Sequence, residues 1–358
     1  MVEEWARVML SKFRADPFTD KKTCFNAIKM GSKPVCTFPI YYEEGVINSL
    51  FIFGANFIVV VTVRKVEIYG LKMSEDINSE TDLPKLIVEE AERQAYGIKE
   101  GDVIVITSKI VSKVEGRTHK LSDVKPSRRA YFLSRFYKTP PEVMELYLRE
   151  GEIKAVIPIE KLAKKYGHLF EEYTRNKEDA QKVIREHPYI FLIDVRNRLL
   201  TWGGIDFSNS PPGYCTLIPE DPDESARRIR EKIRELTGKE TAVVITDTEW
   251  KLDKFGTVDI AIGSSGIQPV SRNFGAKDLY GKPKFGGVDD LTDLVSASAN
   301  LLFGQTDEAI PVVIIRGLKY ERSEKGVANV TYPMKAFREA LRMLAWENIK
   351  FKLLSKLF

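Results

Sequence analysis

The chain has 358 residues, 43% of them hydrophobic and 30% charged, enough for a large soluble protein with one extended core or two ordinary ones. Its 55 Lys and Arg against 51 Asp and Glu leave a net charge of only +4, which excludes the broad basic footprint of nucleic-acid binding, so any anion site must be local. Cys24, Cys36 and Cys215 lack metal-ligand spacing and leave one cysteine unpaired in any disulfide scheme, which points to a reducing cytoplasm.

In chain order, residues 1–56 are aromatic-rich and without sustained periodicity, and read as an N-terminal extension that is poorly ordered or not native. The uncharged run 46–63 raises the question of a membrane anchor. Asn48, Ser49, Gly54 and Asn56 interrupt it, so 57–63 reads instead as a first core strand entering Val66-Glu-Ile-Tyr69, with no membrane partner. Asp82-Leu-Pro84 opens a helix over 82–96 that Gly97 ends. A strand over 102–108 then gives way to a turn. There Thr107-Ser-Lys-Ile-Val-Ser-Lys113 and Val114-Glu-Gly-Arg117 gather lysines, hydroxyls and an arginine able to grip a polyphosphate.

Helices follow over 126–137 and 139–149, the second with Thr139 as N-cap. The Lys/Glu-rich stretch 152–187 reads as a mostly helical, solvated insertion. Strands over 189–195 and 199–202 lead to Gly204-Ile-Asp-Phe-Ser-Asn209. A helix over 221–238 carries an arginine run whose interleaved glutamates make it a solvated face. The apolar strand of Thr241-Ala-Val-Val-Ile-Thr-Asp-Thr248 precedes a glycine-containing strand pair through 258–266. A helix over 291–303, a strand over 310–315 and a helix from 334 complete the chain. Helices and strands mix without regular βαβ alternation, so the fold class is α+β, with mixed, largely antiparallel sheets and flanking helices.

Asp206 and Asp247 each leave an apolar strand beside a small polar partner. Ligands gather at the carboxyl ends of strands, and carboxylates placed there hold divalent metals against phosphate oxygens. His119, His168 and His187 have no acidic or cysteine partner at a recognisable spacing. They read as surface or packing residues, which argues against zinc-hydrolase and Ser-His-Asp chemistry. Neither a Walker A loop nor a dinucleotide glycine fingerprint occurs.

Six ordered segments resemble the GTP-dependent coenzyme F-420:L-glutamate ligase family: Ser112-Lys-Val-Glu-Gly-Arg117, Gly204-Ile-Asp-Phe-Ser-Asn209, Val244-Ile-Thr-Asp-Thr248, Lys277-Asp-Leu-Tyr-Gly281, Ala299-Asn-Leu-Leu302 and Ile314-Ile-Arg-Gly-Leu318. The resemblance covers roughly 66–318. It implies a ligase-like domain over 57–320 with the insertion at 152–187, a C-terminal helical tail over 321–358, and an intertwined homodimer. The implied activity joins L-glutamate to a small-molecule carboxylate acceptor through an acyl phosphate, with GTP as cosubstrate and Mg²⁺ or Mn²⁺. By the same resemblance Asp206, Asp247, Thr248 and Gln305 hold the metal and Lys113 shares in catalysis with the two aspartates. Leu71, Ser108, Lys109, Lys113, Asn209, Phe303, Gly304, Gln305 and Thr306 face the nucleotide.

Three segments depart from the family pattern. Glu249-Trp-Lys-Leu-Asp-Lys-Phe-Gly256 stands where the family has a small polar turn and arginines, and Gln305-Thr-Asp-Glu-Ala309 where it has glycines. In Thr201-Trp-Gly203 a bulky ring replaces small residues. The alternative reading is a non-catalytic or substrate-switched paralogue that binds nucleotide or metal and acts by interaction.

Overall fold

The computed structural model describes residues 65–73, 77–251 and 253–356, together with the backbone of six short strands within 28–60. Those strands form three antiparallel hairpins, β1 (Ile28–Met30) with β2 (Lys33–Val35), β3 (Ile40–Tyr42) with β4 (Gly45–Ile47), and β5 (Ser49–Phe53) with β6 (Asn56–Val60). They belong to a unit of their own, 1–66. The strand expected over 57–63 therefore differs in its described part, because β6 pairs with β5 alone; residues 61–64 lie outside the described residues.

The second unit, 67–358, begins with β7 (Glu67–Leu71), α1 (Leu83–Gln94), β8 (Val103–Thr107) and α2 (Ser108–Val114). Next come β9 (Thr118–Lys120), α3 (Arg128–Tyr137), α4 (Pro141–Glu150) and β10 (Glu152–Ile157). Three short helices, α5 (Ile159–Lys165), α6 (Gly167–Glu172) and α7 (Lys177–Glu186), lead to β11 (Ile190–Val195), β12 (Arg198–Thr201) and β13 (Tyr214–Thr216). The chain continues through α8 (Pro222–Thr237), β14 (Ala242–Trp250), β15 (Thr257–Ser265), α9 (Leu291–Phe303), β16 (Val312–Arg316) and α10 (Met334–Leu354).

The central sheet runs β15-β14-β8-β16-β7, with β14 and β8 parallel and every other pair antiparallel. Its middle strands are apolar on both faces because both faces are covered. Ile104, Ile106, Val243, Ile245 and Ile314 join one core with Leu83 and Ile87 of α1 and Ile229 and Ile233 of α8. Val103, Val105, Val244, Val313 and Ile315 face the other core with Val295, Ala299 and Phe303 of α9. The first core runs on without a break into a three-stranded antiparallel sheet, β10-β11-β12, where Phe191 and Ile193 meet Met144 and Tyr147 of α4. The α+β class with mixed and antiparallel sheets is thus observed.

Local signals placed most helix ends. Asp82, Asp221 and Asp290 cap α1, α8 and α9 by accepting from Lys85, Glu224 and Asp293 amides at 3.2, 3.1 and 3.0 Å. Elsewhere the structure corrects the sequence reading. The turn expected after 108 is the helix α2, and Pro140 rather than Thr139 starts α4. The stretch 152–187 opens with the strand β10, because alternating apolar residues there find β11 as a partner. The strand pair expected through 266 is the single strand β15, whose partner β14 runs on to Trp250.

Arg316 ties the sheet together. Its Nε donates to Asp102 Oδ1 at 2.9 Å and one terminal nitrogen to Oδ2 at 2.7 Å. The other donor positions take Ala95 and Gly97 carbonyls at the end of α1, and the guanidinium lies 5.0 Å from the Tyr69 ring centre. Asp102 is 1% exposed, so an unpaired charge there would be costly. Replacing Arg316 by Met should lower unfolding free energy by about 3–5 kcal/mol in urea titrations, and Arg316→Lys should recover only part because an ammonium lacks the bidentate fork.

Candidate functional site

Parallel pairing of β14 with β8 ends at Thr246 opposite Thr107. One residue further on, β8 has become α2, while β14 continues paired with β15 alone among the described strands, leaving its other edge without a backbone partner. A cavity of about 550 Å³ opens there, lined by the start of α2, the 201–209 segment, the end of β14 and the 303–311 loop. The register delivers Asp247 beside Ser108, whose Oγ donates to Asp247 Oδ1 at 3.0 Å. Asp247 is therefore not at a strand end, as the sequence implied, but at the end of a strand pairing.

Asp206 reaches the cavity by a different route. After β12 the backbone turns through left-handed conformations at Trp202, Gly203 and Gly204, then pairs with Thr216: Asp206 N donates to Thr216 O at 2.9 Å, and Thr216 N donates to Asp206 O at 2.8 Å. Gly204 has φ +67°, and a Cβ there would fall 2.4 Å from Ile218 Cγ2 and 3.1 Å from Asp247 Oδ2, so only glycine lets this turn bring Asp206 in against β14. Lys109 Nζ lies 2.8 Å from Asp206 Oδ2 and donates to Ser208 Oγ at 2.6 Å. Lys113 donates to Asn209 O at 3.1 Å, and Asn209 Nδ2 to Thr306 O at 3.5 Å, which joins α2 to the far wall.

Acids dominate the floor. Burial pushes the Asp247 carboxyl up to about 8, with the charges of Glu249 and Asp206 adding to the rise and the Ser108 bond opposing it. Burial likewise raises Glu249 to about 7, against bonds from the Thr201 amide and hydroxyl. Strand alternation sends the Thr248 hydroxyl the other way, to Asp259 Oδ1 at 2.8 Å, where Asn300 Nδ2 also donates at 2.6 Å. Among the described residues no three Asp, Glu, His or Cys side chains converge tightly enough to enclose a metal by themselves. Two carboxylates with a deficit of nearby cations nevertheless fit a hard divalent ion that takes its remaining oxygens from water and phosphate.

Of the residues expected at the site, Ser108, Lys109, Lys113, Asp206, Asn209, Asp247, Thr248, Phe303, Gly304, Gln305 and Thr306 all line this cavity. Leu71 does not: it is fully buried in the core, and Met73 and Ile77 beyond it line the cavity instead. Arg117, grouped with the phosphate-gripping residues in sequence, is committed to Glu150 at 2.9 Å and the Ile218 carbonyl at 3.2 Å. Sequence reasoning missed Thr201, Trp202, Trp250 and Asp259 as cavity residues. Only the departures at 201–203 and 249–256 signalled three of them, Thr201, Trp202 and Trp250.

The cavity sets carboxylates against lysines and hydroxyls, and the chain's relatives give its class, a ligase. The F420-0:gamma-glutamyl ligase family model matches residues 70–317, and this chain belongs to that family. It is 36% identical over 241 residues to the coenzyme F420:L-glutamate ligase of Methanopyrus kandleri, covering 67% of this chain and 82% of that protein. With the enzyme of the same name from Archaeoglobus fulgidus the identity is 32% over 254 residues, 71% of this chain and 88% of the relative. With that of Methanocaldococcus jannaschii it is 34% over 259 residues, again 71% and 88%.

The raised carboxyls make a pH prediction. Asp247 and Glu249 hold protons in the folded state that the unfolded chain has released, so native binds more protons than unfolded between about pH 4 and about pH 8. Stability without added metal should fall as pH rises through that window and level off above it. Thermal melts across the window should show the decline, and Asp247→Asn should flatten it.

Proposed function

We propose that this chain is a GTP- and metal-dependent ligase that joins L-glutamate through its amine to the carboxylate of a coenzyme F420-type acceptor. The observation that carries the reading is the convergence of Asp206 with Lys109 and Asp247 with Ser108 at the free edge of β14. Asp206 and Asp247 would hold Mg²⁺ or Mn²⁺, with Thr248 and Gln305 in the same cavity. The bound cation would neutralise charge on the transferring phosphoryl group.

The protein's own residues do the positioning. Ser108, Lys109 and Lys113 present one hydroxyl and two ammonium groups from successive turns of α2, and Asn209 with the 303–306 segment closes the nucleotide's other side. With a cation held by Asp206, the Lys109 ammonium, now paired to that carboxylate, would be available to phosphate. An acceptor carboxylate oxygen then attacks the γ-phosphorus as the bond to GDP breaks, giving an acyl phosphate. The glutamate amine attacks the acyl carbon, inorganic phosphate leaves, and the amine's proton passes to solvent. No protein nucleophile is required. Holding the reactants in line supplies the rate.

Asp247→Asn keeps shape and removes charge, and should weaken Mg²⁺-dependent GTP binding by about 2–5 kcal/mol in calorimetry with the fold intact. Asp206→Asn should behave alike, and the double variant should cost less than the sum because both act through one ion. Full metal-dependent affinity in Asp247→Asn would defeat the reading.

We further propose a homodimer in the cytoplasm. The loop carrying Lys277-Asp-Leu-Tyr-Gly281 is pinned by the Lys277–Pro283 bridge and holds Leu279, Tyr280 and Phe285 almost wholly in solvent, an apolar load that a second copy would bury. No helix among the described residues is long and apolar enough to cross a membrane. Light scattering should give twice the chain mass for the native protein and the chain mass for Leu279→Asp with Phe285→Asp.

A further inference from the structure

The last helix, α10, is fixed at its root and bare along its shaft. Asp223, in the first turn of α8, accepts from the Val327 and Ala328 amides at 2.9 Å each, and Met334 at the start of α10 is buried. From Lys335 to Leu354 every residue is exposed. Leu344, Trp346 and Leu353 are 60%, 66% and 64% exposed, values that rule out a packed face. The helix also lies outside the family match over 70–317.

Its residues are sorted by character around the axis. An α-helix turns by about 100° per residue. On that spacing Phe337, Leu341, Met343, Leu344, Phe351 and Leu354 fall in one half of the wheel, and Lys335, Arg338, Arg342, Lys350 and Lys352 in the other. Trp346, Ile349 and Leu353 stand among the cations. The five cations share the helix with only two acids, Glu339 and Glu347, and the one ion pair among them is Lys350 with Glu347 at 3.4 Å. In α8, by contrast, a solvated face neutralises itself: Arg227 pairs with Glu224 and Glu231, and Lys232 with Glu235. The shaft of α10 is therefore both apolar and in surplus of positive charge, and water alone suits neither property.

We propose that α10 docks the protein on an anionic lipid surface, lying in the interface with its apolar half toward the acyl chains. A helix about 10–12 Å across that sinks about 5–10 Å into the headgroup boundary meets amphipathic material on most of its sides. The phenyl and leucyl side chains then leave water, the long lysine and arginine stems reach headgroup phosphates, and the Trp346 indole rests at headgroup level. A second copy of the helix would cover one face only, leave Trp346, Ile349 and Leu353 in water, and bring two positively charged helices together. Charge complementarity selects the anionic surface. Such a helix gives the chain a membrane partner that the sequence expectation left out, and does so without a span. The proposal stands independently of the ligase reading.

Flotation of the full chain with vesicles tests it, using phosphatidylcholine alone and phosphatidylcholine with about 30% phosphatidylglycerol. The native protein should float with the anionic vesicles and stay behind with the neutral ones, and about 0.5 M NaCl should release much of it. Leu341→Glu with Leu344→Glu, and separately Arg342→Glu with Lys352→Glu, should each weaken partitioning by about tenfold or more, while Arg342→Lys with Lys352→Arg keeps it. Thermal melts should be unchanged in all of these, because the shaft of α10 belongs to neither core. Absence of the native protein from anionic vesicles overturns the proposal, as does equal flotation with neutral ones or native partitioning by the charge-reversed variant. A mass in light scattering that falls for Leu341→Glu with Leu344→Glu, while the native chain stays off the vesicles, would assign the face to a second copy and overturn it as well.

Discussion

The register of the one parallel strand pair in the central sheet sets everything else at the site. Ile106 opposite Ile245 and Thr107 opposite Thr246 are the last rungs before β8 coils into α2, and the next residues are Ser108 and Asp247. A slip of one residue would turn Asp247 to the far face of the sheet, because strand side chains alternate. The apolar residues on both faces of β8 and β14 prevent that slip: each must find α1 and α8 on one side and α9 on the other. Packing energy spent in the core thus holds a carboxylate in place at its edge.

The site itself stores electrostatic tension. Asp247, Asp206 and Glu249 approach one another closely enough to raise Asp247, and among the described residues only Lys109 answers them with a direct ion pair. An acid cluster that is expensive without a cation is well matched to one that arrives with substrate. Glu249 tempers this, since its bonds to Thr201 favour the charged form and also fasten the 201–206 segment to β14.

The family match spans 70–317 and leaves the first unit and α10 outside it. Within the match, the stretch between β10 and β11 contributes three helices. Their aromatic residues reach the β14–β15 hairpin at Phe255 rather than the polar end of the cavity.

Much was legible before any coordinates. Asp82, Asp221 and Gly238 mark helix ends by local hydrogen bonding and backbone preference, and the ordered short motifs identify the family and part of the cavity lining. Asp206 and Asp247 stood out because a carboxylate directly after an apolar run has no packing reason to be there. Tertiary structure decided the rest. Whether 108–114 coils, whether β14 stops at Asp247 or runs on to Trp250, and whether 152–157 is strand or helix all depend on partners distant in sequence, which local propensity does not encode. Leu71 and Arg117 lie in or next to the right motifs yet serve the core and Glu150, because one residue of register separates a cavity wall from a buried face. Thr201 and Glu249 became partners only when the fold brought residues 48 positions apart within hydrogen-bonding distance.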